Sequence, residues 1–370
     1  MILSYQAYQN LIQDWIQIRD PRVIEVLISA YVANLIKGKP VWLFIVGSGR
    51  RGKSTLLSMF NTSQTKIIRS LFDSNLILAN GSLAPLINLL NQMKHQGQNI
   101  LIAQSLSSIF NSSLMNLQIT IQDLLDIYKG EIERLQGRKR LKWTGRVGLI
   151  AGFITAIDIY NEIINTLGGR VLQWRLDLPI KFLPKADKKI KDQEIVNLFS
   201  KATNQFLKTL NIKASINFSS QTSKYIHTLS RLITLSRLLP PSPYRSIMPS
   251  IDETIEGYSQ SITQFLKGLL IVRGKVSPTK EEFEILAQIS RDTIPKIRLK
   301  VLKAIYRRGS WCSIADLSED IDLFESIVSY QCNEFAFQGL LDRKKEEETF
   351  YWKFKDRILE DIEETRFFDD

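Results

Sequence analysis

VWLFIVGSGRRGKST, residues 41–55, is the stretch on which the reading of this chain turns. Its first six residues form an uninterrupted apolar run, the pattern of a strand buried on both faces of a parallel sheet. The next eight, Gly47-Ser48-Gly49-Arg50-Arg51-Gly52-Lys53-Ser54, fit G-x-x-x-x-G-K-[ST] at every position. Glycines in such a turn permit backbone angles at which successive N–H groups converge on phosphate oxygens. Thr55 and the LLSMF that follows continue as a helix, whose N-terminal end adds positive potential at the same anion. The pattern assigns Gly47 to Thr55 to nucleotide binding, with Lys53 at the β and γ phosphates of ATP and Ser54 as a ligand of Mg2+.

Working outward, Asp20-Pro21 breaks residues 4–37 into two helices, and Gly38-Lys39-Pro40 closes them off. Downstream, KIIRSLF (66–72), NILIAQ (99–104), GRVGLIAG (145–152) and RVLQWRLDLP (170–179) read as further strands. LAPLINLLNQMKH (83–95) and LQITIQDLLDIYKGEIERLQ (117–136) have helical periodicity between them. This alternation predicts an α/β layered domain with a parallel sheet, a P-loop NTPase core over 39–186 preceded by N-terminal helices at 1–38. From about residue 187 the strand signals stop. Successive helical segments predict a helical lid over 187–292, interrupted by Pro240, Pro241 and Pro243. From Thr293 the order is three helices and then LLDRKKEEETFYWKFK (340–355) as a two-stranded wing, which predicts a winged-helix domain over 293–370.

Composition narrows the class. At 370 residues, 44% hydrophobic and 24% charged, the chain has globular proportions. No apolar run reaches the roughly 18 residues of a membrane span, and the N-terminal residues carry no basic leader. Cys312 and Cys332 are the only cysteines, without metal-ligand spacing, so disulfides and structural zinc are not expected and a cytoplasmic setting is. The formal net charge is +11, although from Arg291 onward 14 Lys/Arg face 18 Asp/Glu. The positive charge therefore resides in the first 290 residues, where it suits an anionic partner such as DNA.

The loop GSGRRGKS, the helix end DIYKGEI (126–132), WTGRVGLIAGFITAID (143–158), LGGRVLQWRLDLP (167–179) and LLIVRGKVSPTKEEFEIL (269–286) together resemble the AAA+ ATPases. The similarity is to a bacterial and phage group that couples such a core to a C-terminal winged helix. That resemblance implies that GLIAGFITAID carries a first sensor, with Ile154 at its place and Thr155 beside it. It implies Arg170 as a finger acting on the neighbouring subunit's nucleotide, which makes the protein a homo-oligomer. The second sensor's place falls on Gly257. The strand that carries the Mg2+-associated Asp in relatives ends here in Gln104 and Ser105. Asp123, Asp126 and Glu131 on the following segment are expected on a solvated face. Hydrolysis is accordingly expected to be slow or lost.

Five cations, Arg138, Lys139, Arg140, Lys142 and Arg146, surround Trp143 just ahead of the sensor strand, where DNA-translocating relatives carry a hairpin. They are expected to contact nucleic acid, with Trp143 stacking on a base. The segment LFESIVSYQCNEFAFQG in the tail has no Lys or Arg, which favours a protein partner over operator reading there. The whole reads as an ATP-binding, assembling protein that works with DNA in a mobile-element, phage or defence setting. The alternatives are a non-catalytic adaptor with a structural nucleotide and a nucleotide-responsive winged-helix regulator.

Overall fold

The computed structural model describes residues 4–49, 52–176, 181–182, 192–239 and 250–369. Its centre is a five-stranded parallel sheet made of β1 (Trp42–Val46), β2 (Thr65–Ile68), β3 (Ile100–Ala103), β4 (Gly148–Phe153) and β5 (Val171–Arg175). The order across the sheet is β2-β3-β4-β1-β5, so β1 lies between β4 and β5 with Trp42 opposite both Leu149 and Val171. All five expected strands are present. They form where they do because both faces of each can be buried. Trp42, Phe44 and Val46 enter one hydrophobic cluster and Leu43 and Ile45 the other. The same period of two splits Leu101 and Ala103 from Ile100 and Ile102.

One face is covered by the helices Ala84–His95 and Leu114–Lys129. The other is covered by Arg22–Leu35 and by Ile251–Arg273, which packs closely along it. Arg273 ties these last two together, its Nε 2.6 Å from Glu25 Oε1. The cluster on this second face runs on without interruption from Tyr8 in the first helix to Phe367 near the C-terminus. The N-terminal helices and the tail therefore share one core with the sheet. Helices Asp192–Leu207, Ser220–Arg237, Ile251–Arg273 and Lys280–Thr293 fill the middle of the chain. The Pro240–Pro243 segment lies outside the described residues.

The tail runs helix Lys296–Arg308, short strand Cys312–Ser313, helices Ile314–Ile321 and Glu325–Phe337, then a hairpin of Leu341–Glu346 and Thr349–Phe354. It docks on Ser220–Arg237. Arg298 donates to the Ser236 carbonyl at 2.6 Å and pairs with buried Glu334, and Lys224 meets Glu364 at 2.8 Å. Among the described residues no helix is long and apolar enough to cross a membrane.

One element departs from expectation. The helical pattern over 117–136 ends at Lys129, because Gly130 takes φ 96° and stops the helix. EIERLQ then pairs with KRLKWT as an antiparallel hairpin, Glu131–Gln136 against Lys139–Thr144. Its alternating burial, with Ile132, Leu141 and Trp143 inward, is a strand period that the preceding helical run obscured.

Candidate functional site

β1 delivers the chain into the glycine-rich loop at the C-terminal end of the sheet. The Gly47 N–H donates to Phe153 O at 3.1 Å, and Leu176 N–H donates to Val46 O at 2.8 Å. The loop thus starts wedged between the ends of β4 and β5. A Cβ on Gly47 would stand 3.2 Å from Leu176 Cβ, so this position has little room for a side chain. Gly52 adopts φ 76° immediately before the helix Lys53–Ser58, a left-handed conformation that glycine takes without strain. That helix is only six residues long, so its dipole adds less than the sequence suggested. Arg50 and Arg51 lie outside the described residues.

Lys53 is 8% exposed, and its Nζ donates to Gly47 O at 2.7 Å and Ser48 O at 2.8 Å. The ammonium is thereby held across the mouth of the loop. Ser54 is exposed and Thr55 half-buried. Thr155 begins the short turn Thr155–Asp158 that leaves β4 and faces the same space, while Ile154 is 37% exposed.

In front of the loop lies a cavity of about 660 Å3, within the range of small-molecule and cofactor sites. Sequence reasoning did not anticipate most of its walls. Ile18, Arg19, Asp20 and Arg22 come from the N-terminal segment, held here by pairing of Ile16–Gln17 with Lys181–Phe182. Gln288, Arg291 and Asp292 come from Lys280–Thr293, and Lys296, Leu299 and Lys303 from the first tail helix. Arg175, at the end of β5, completes the wall. Its guanidinium is bidentate to Asp158 at 2.7 and 2.9 Å and donates to Asp292 O at 2.7 Å. Among the described residues, six cations and two carboxylates line the cavity. Both carboxylates are engaged. Asp20 is clamped by Arg22 at 2.8–3.1 Å, and Asp292 accepts from Arg175 N at 2.8 Å and Gln288 Nε2 at 2.9 Å.

A Mg2+ ion fits these residues poorly. Gln104 Nε2 donates to Ser58 Oγ at 2.7 Å and so ties the end of β3 to the loop helix as a neutral strut. The acids of the following segment are spent elsewhere. Asp123 is buried, not solvated as expected: its Oδ2 accepts from Leu83 N at 2.6 Å and its Oδ1 from Arg134 Nε at 2.7 Å, and burial raises its pKa. Asp126 also pairs with Arg134, and Glu131 with Lys142. Among the described residues no group of three or more His, Cys, Asp or Glu could hold a metal ion. Among the described residues, the Ser54 hydroxyl has no carboxylate beside it to anchor the cation.

No protein-family model matches the chain, and no curated protein matches it.

The remaining candidates lie at the other end of the sheet. Arg170 precedes β5 while Arg175 ends it, roughly 16 Å along the strand, so Arg170 is remote from its own chain's loop. It is 13% exposed and bonds Glu253 Oε1 and the Leu167 carbonyl at 2.7 and 2.9 Å. Gly257 packs face to face with Gly169, where a Cβ would meet backbone at 3.0 Å; backbone contact occupies the expected second-sensor position.

The basic hairpin also sits at this end, with Gly145 N–H on Gly130 O and Gly148 N–H on Asn99 O. Two of its expected nucleic-acid contacts are corrected. Trp143 is 3% exposed inside the hydrophobic cluster, so no base can stack on it. Arg146 donates to four carbonyls, Asn34 at 2.7 Å, Gly38 at 2.6 Å, Lys39 at 3.1 Å and Ala33 at 3.3 Å, and burial lowers its pKa. It caps the helix Arg22–Leu35. Arg140 pairs with Glu133, and Lys142 with Glu131 at 2.7 Å. Arg138 and Lys139 stand exposed at the hairpin turn.

Proposed function

We propose that this chain is an AAA+-like nucleotide-binding protein that holds ATP on Gly47–Thr55, assembles with copies of itself when the nucleotide is bound, and works with DNA. One observation carries the reading: a loop that fits the phosphate-binding motif at every position leaves a central strand of a parallel sheet ordered β5-β1-β4-β3-β2 and opens on a cation-rich cavity of nucleotide size. Motif, strand–loop–helix context and cavity are separate requirements, and all three coincide at one place.

Slow or absent turnover follows from Gln104. Its amide offers neither an anionic anchor nor a base to orient attacking water. This supports the adaptor variant of the reading, in which ATP orders the subunits without being consumed. The order of elements in the tail supports a winged helix. Its helix Glu325–Phe337 turns buried Glu334 toward the neighbouring helices and exposes Tyr330 and Phe337, a face suited to a protein partner more than to the major groove. Binding of ATP by calorimetry, alongside a turnover assay, tests the reading. Wild type is expected to bind, and Lys53→Ala to bind about 10- to 100-fold more weakly through loss of a charge-assisted contact. Absence of ATP affinity in wild type would remove the reading.

A further inference from the structure

We infer that the nucleotide in this cavity is bound as the bare polyphosphate anion, without a divalent cation, its charge being met by side chains contributed from three separate parts of the chain. The inference rests on the nucleotide reading above and adds the form in which the ligand is taken.

The donor set carries it. A triphosphate usually shares its negative charge between a P-loop lysine and Mg2+, and the protein holds the metal's outer face through a carboxylate. Here the end of β3 offers Gln104, and that amide is bonded to Ser58 Oγ. Asp20 and Asp292, the carboxylates that line the cavity, accept from Arg22, Arg175 and Gln288. Asp158, close behind the wall, is chelated by Arg175. Among the described residues, no acid of this site is left to favour a cation.

The opposite charge is in excess. Arg19 enters from the N-terminal segment and Lys296 and Lys303 from the first tail helix, bordering the same space as Ser48 of the loop, whose carbonyl holds Lys53, while Arg22 and Arg175 are matched by Asp20 and Asp158. A field that attracts four negative charges repels a divalent cation by the same Coulomb term, and a partly enclosed cavity screens neither effect fully. The fully charged nucleotide is therefore the better match for this wall. Because Lys296 and Lys303 lie beyond Pro295 in the tail, the anion also bridges the sheet and the tail helix.

Calorimetry on the full chain with ATP, once in excess EDTA and once in excess Mg2+, tests this directly. The dissociation constant is expected to be about 10-fold or more higher in excess Mg2+, which converts the free anion into its metal complex, and the affinity in EDTA to fall steeply with added salt. Lys296→Ala with Lys303→Ala is expected to weaken binding in EDTA by about 10-fold or more, with thermal unfolding of the apo variant as the check on folding. Gln104→Asp is expected to shrink or reverse the loss of affinity in Mg2+. If wild-type binding in excess Mg2+ equals or exceeds that in EDTA, the inference is overturned while the nucleotide reading survives. If ATP binds in neither buffer, both fall. The wild-type comparison decides the matter even if a variant does not fold.

Discussion

The two ends of the parallel sheet are both rich in cations, and they use them in opposite ways. At the hairpin end, Arg146 is spent on four backbone carbonyls, Arg140 and Lys142 on neighbouring glutamates, and Arg170 on Glu253. At the loop end, Arg22 and Arg175 hold the carboxylates of Asp20 and Asp158, while Arg19, Lys296 and Lys303 border an open cavity. Charge density along the sequence is highest at the hairpin, yet the charge positioned to meet a ligand lies around the loop. Partners, more than counts, decide what a positive side chain can do.

The sharpest way to break this contrast is Arg146→Ala. Removal of one guanidinium leaves four carbonyls to find other donors in a half-buried place, and the cost is expected to be about 2–4 kcal/mol of stability. Chemical denaturation should show the loss, and Arg146→Lys should recover only part of it because one ammonium cannot reach all four acceptors. ATP affinity measured below the transition should be unchanged. A variant as stable as wild type would mean that Arg146 is available for ligands after all.

The contrast also explains what the sequence made legible. The five strands and the loop are local patterns: apolar runs such as VWLFIV and one fixed motif, each read within a few residues. The hairpin was absorbed into a helix because DLLDIYKGEIERLQ keeps a helical rhythm past Gly130, whose φ alone ends it. The fate of Arg146 was hidden because its acceptors are carbonyls, present at every residue and lying 107 to 113 positions away. The cavity was hidden for the same reason. Arg19, Arg175 and Lys303 carry no common motif and meet only after folding.

A smaller effect separates the two ends through Arg170. Its pair with Glu253, a residue that is half exposed, contributes about 0–1 kcal/mol, so Arg170→Ala should barely alter the monomer. If the residue reaches a neighbour's nucleotide, the same change should abolish the ATP-dependent rise in mass seen by light scattering while ATP affinity stays within about 3-fold. Glu253→Gln, which frees the guanidinium, should keep the assembly. An Arg170→Ala protein that assembles as wild type does would confine this arginine to its intramolecular bonds.

The smallest expected effect concerns the hairpin turn itself. Arg138 and Lys139 are exposed and form no ion pair among the described residues, whereas Arg140 and Lys142 are each matched by a glutamate on the facing strand. If the hairpin meets single-stranded DNA, the turn residues should supply most of the phosphate contacts. Replacing both by Ala should then reduce the slope of log affinity against log salt by about 1.4, since each phosphate contact to a single strand contributes roughly 0.7. Replacing Arg140 and Lys142 instead should reduce it less, because their glutamates already neutralise them and become unpaired acids that repel the strand. Stability should shift by no more than about 0.5 kcal/mol in the turn variant, as for other exposed surface changes. Equal slope losses from both pairs would show that the glutamates release their partners to DNA, and the rule drawn from the two ends of the sheet would then fail at its most exposed point.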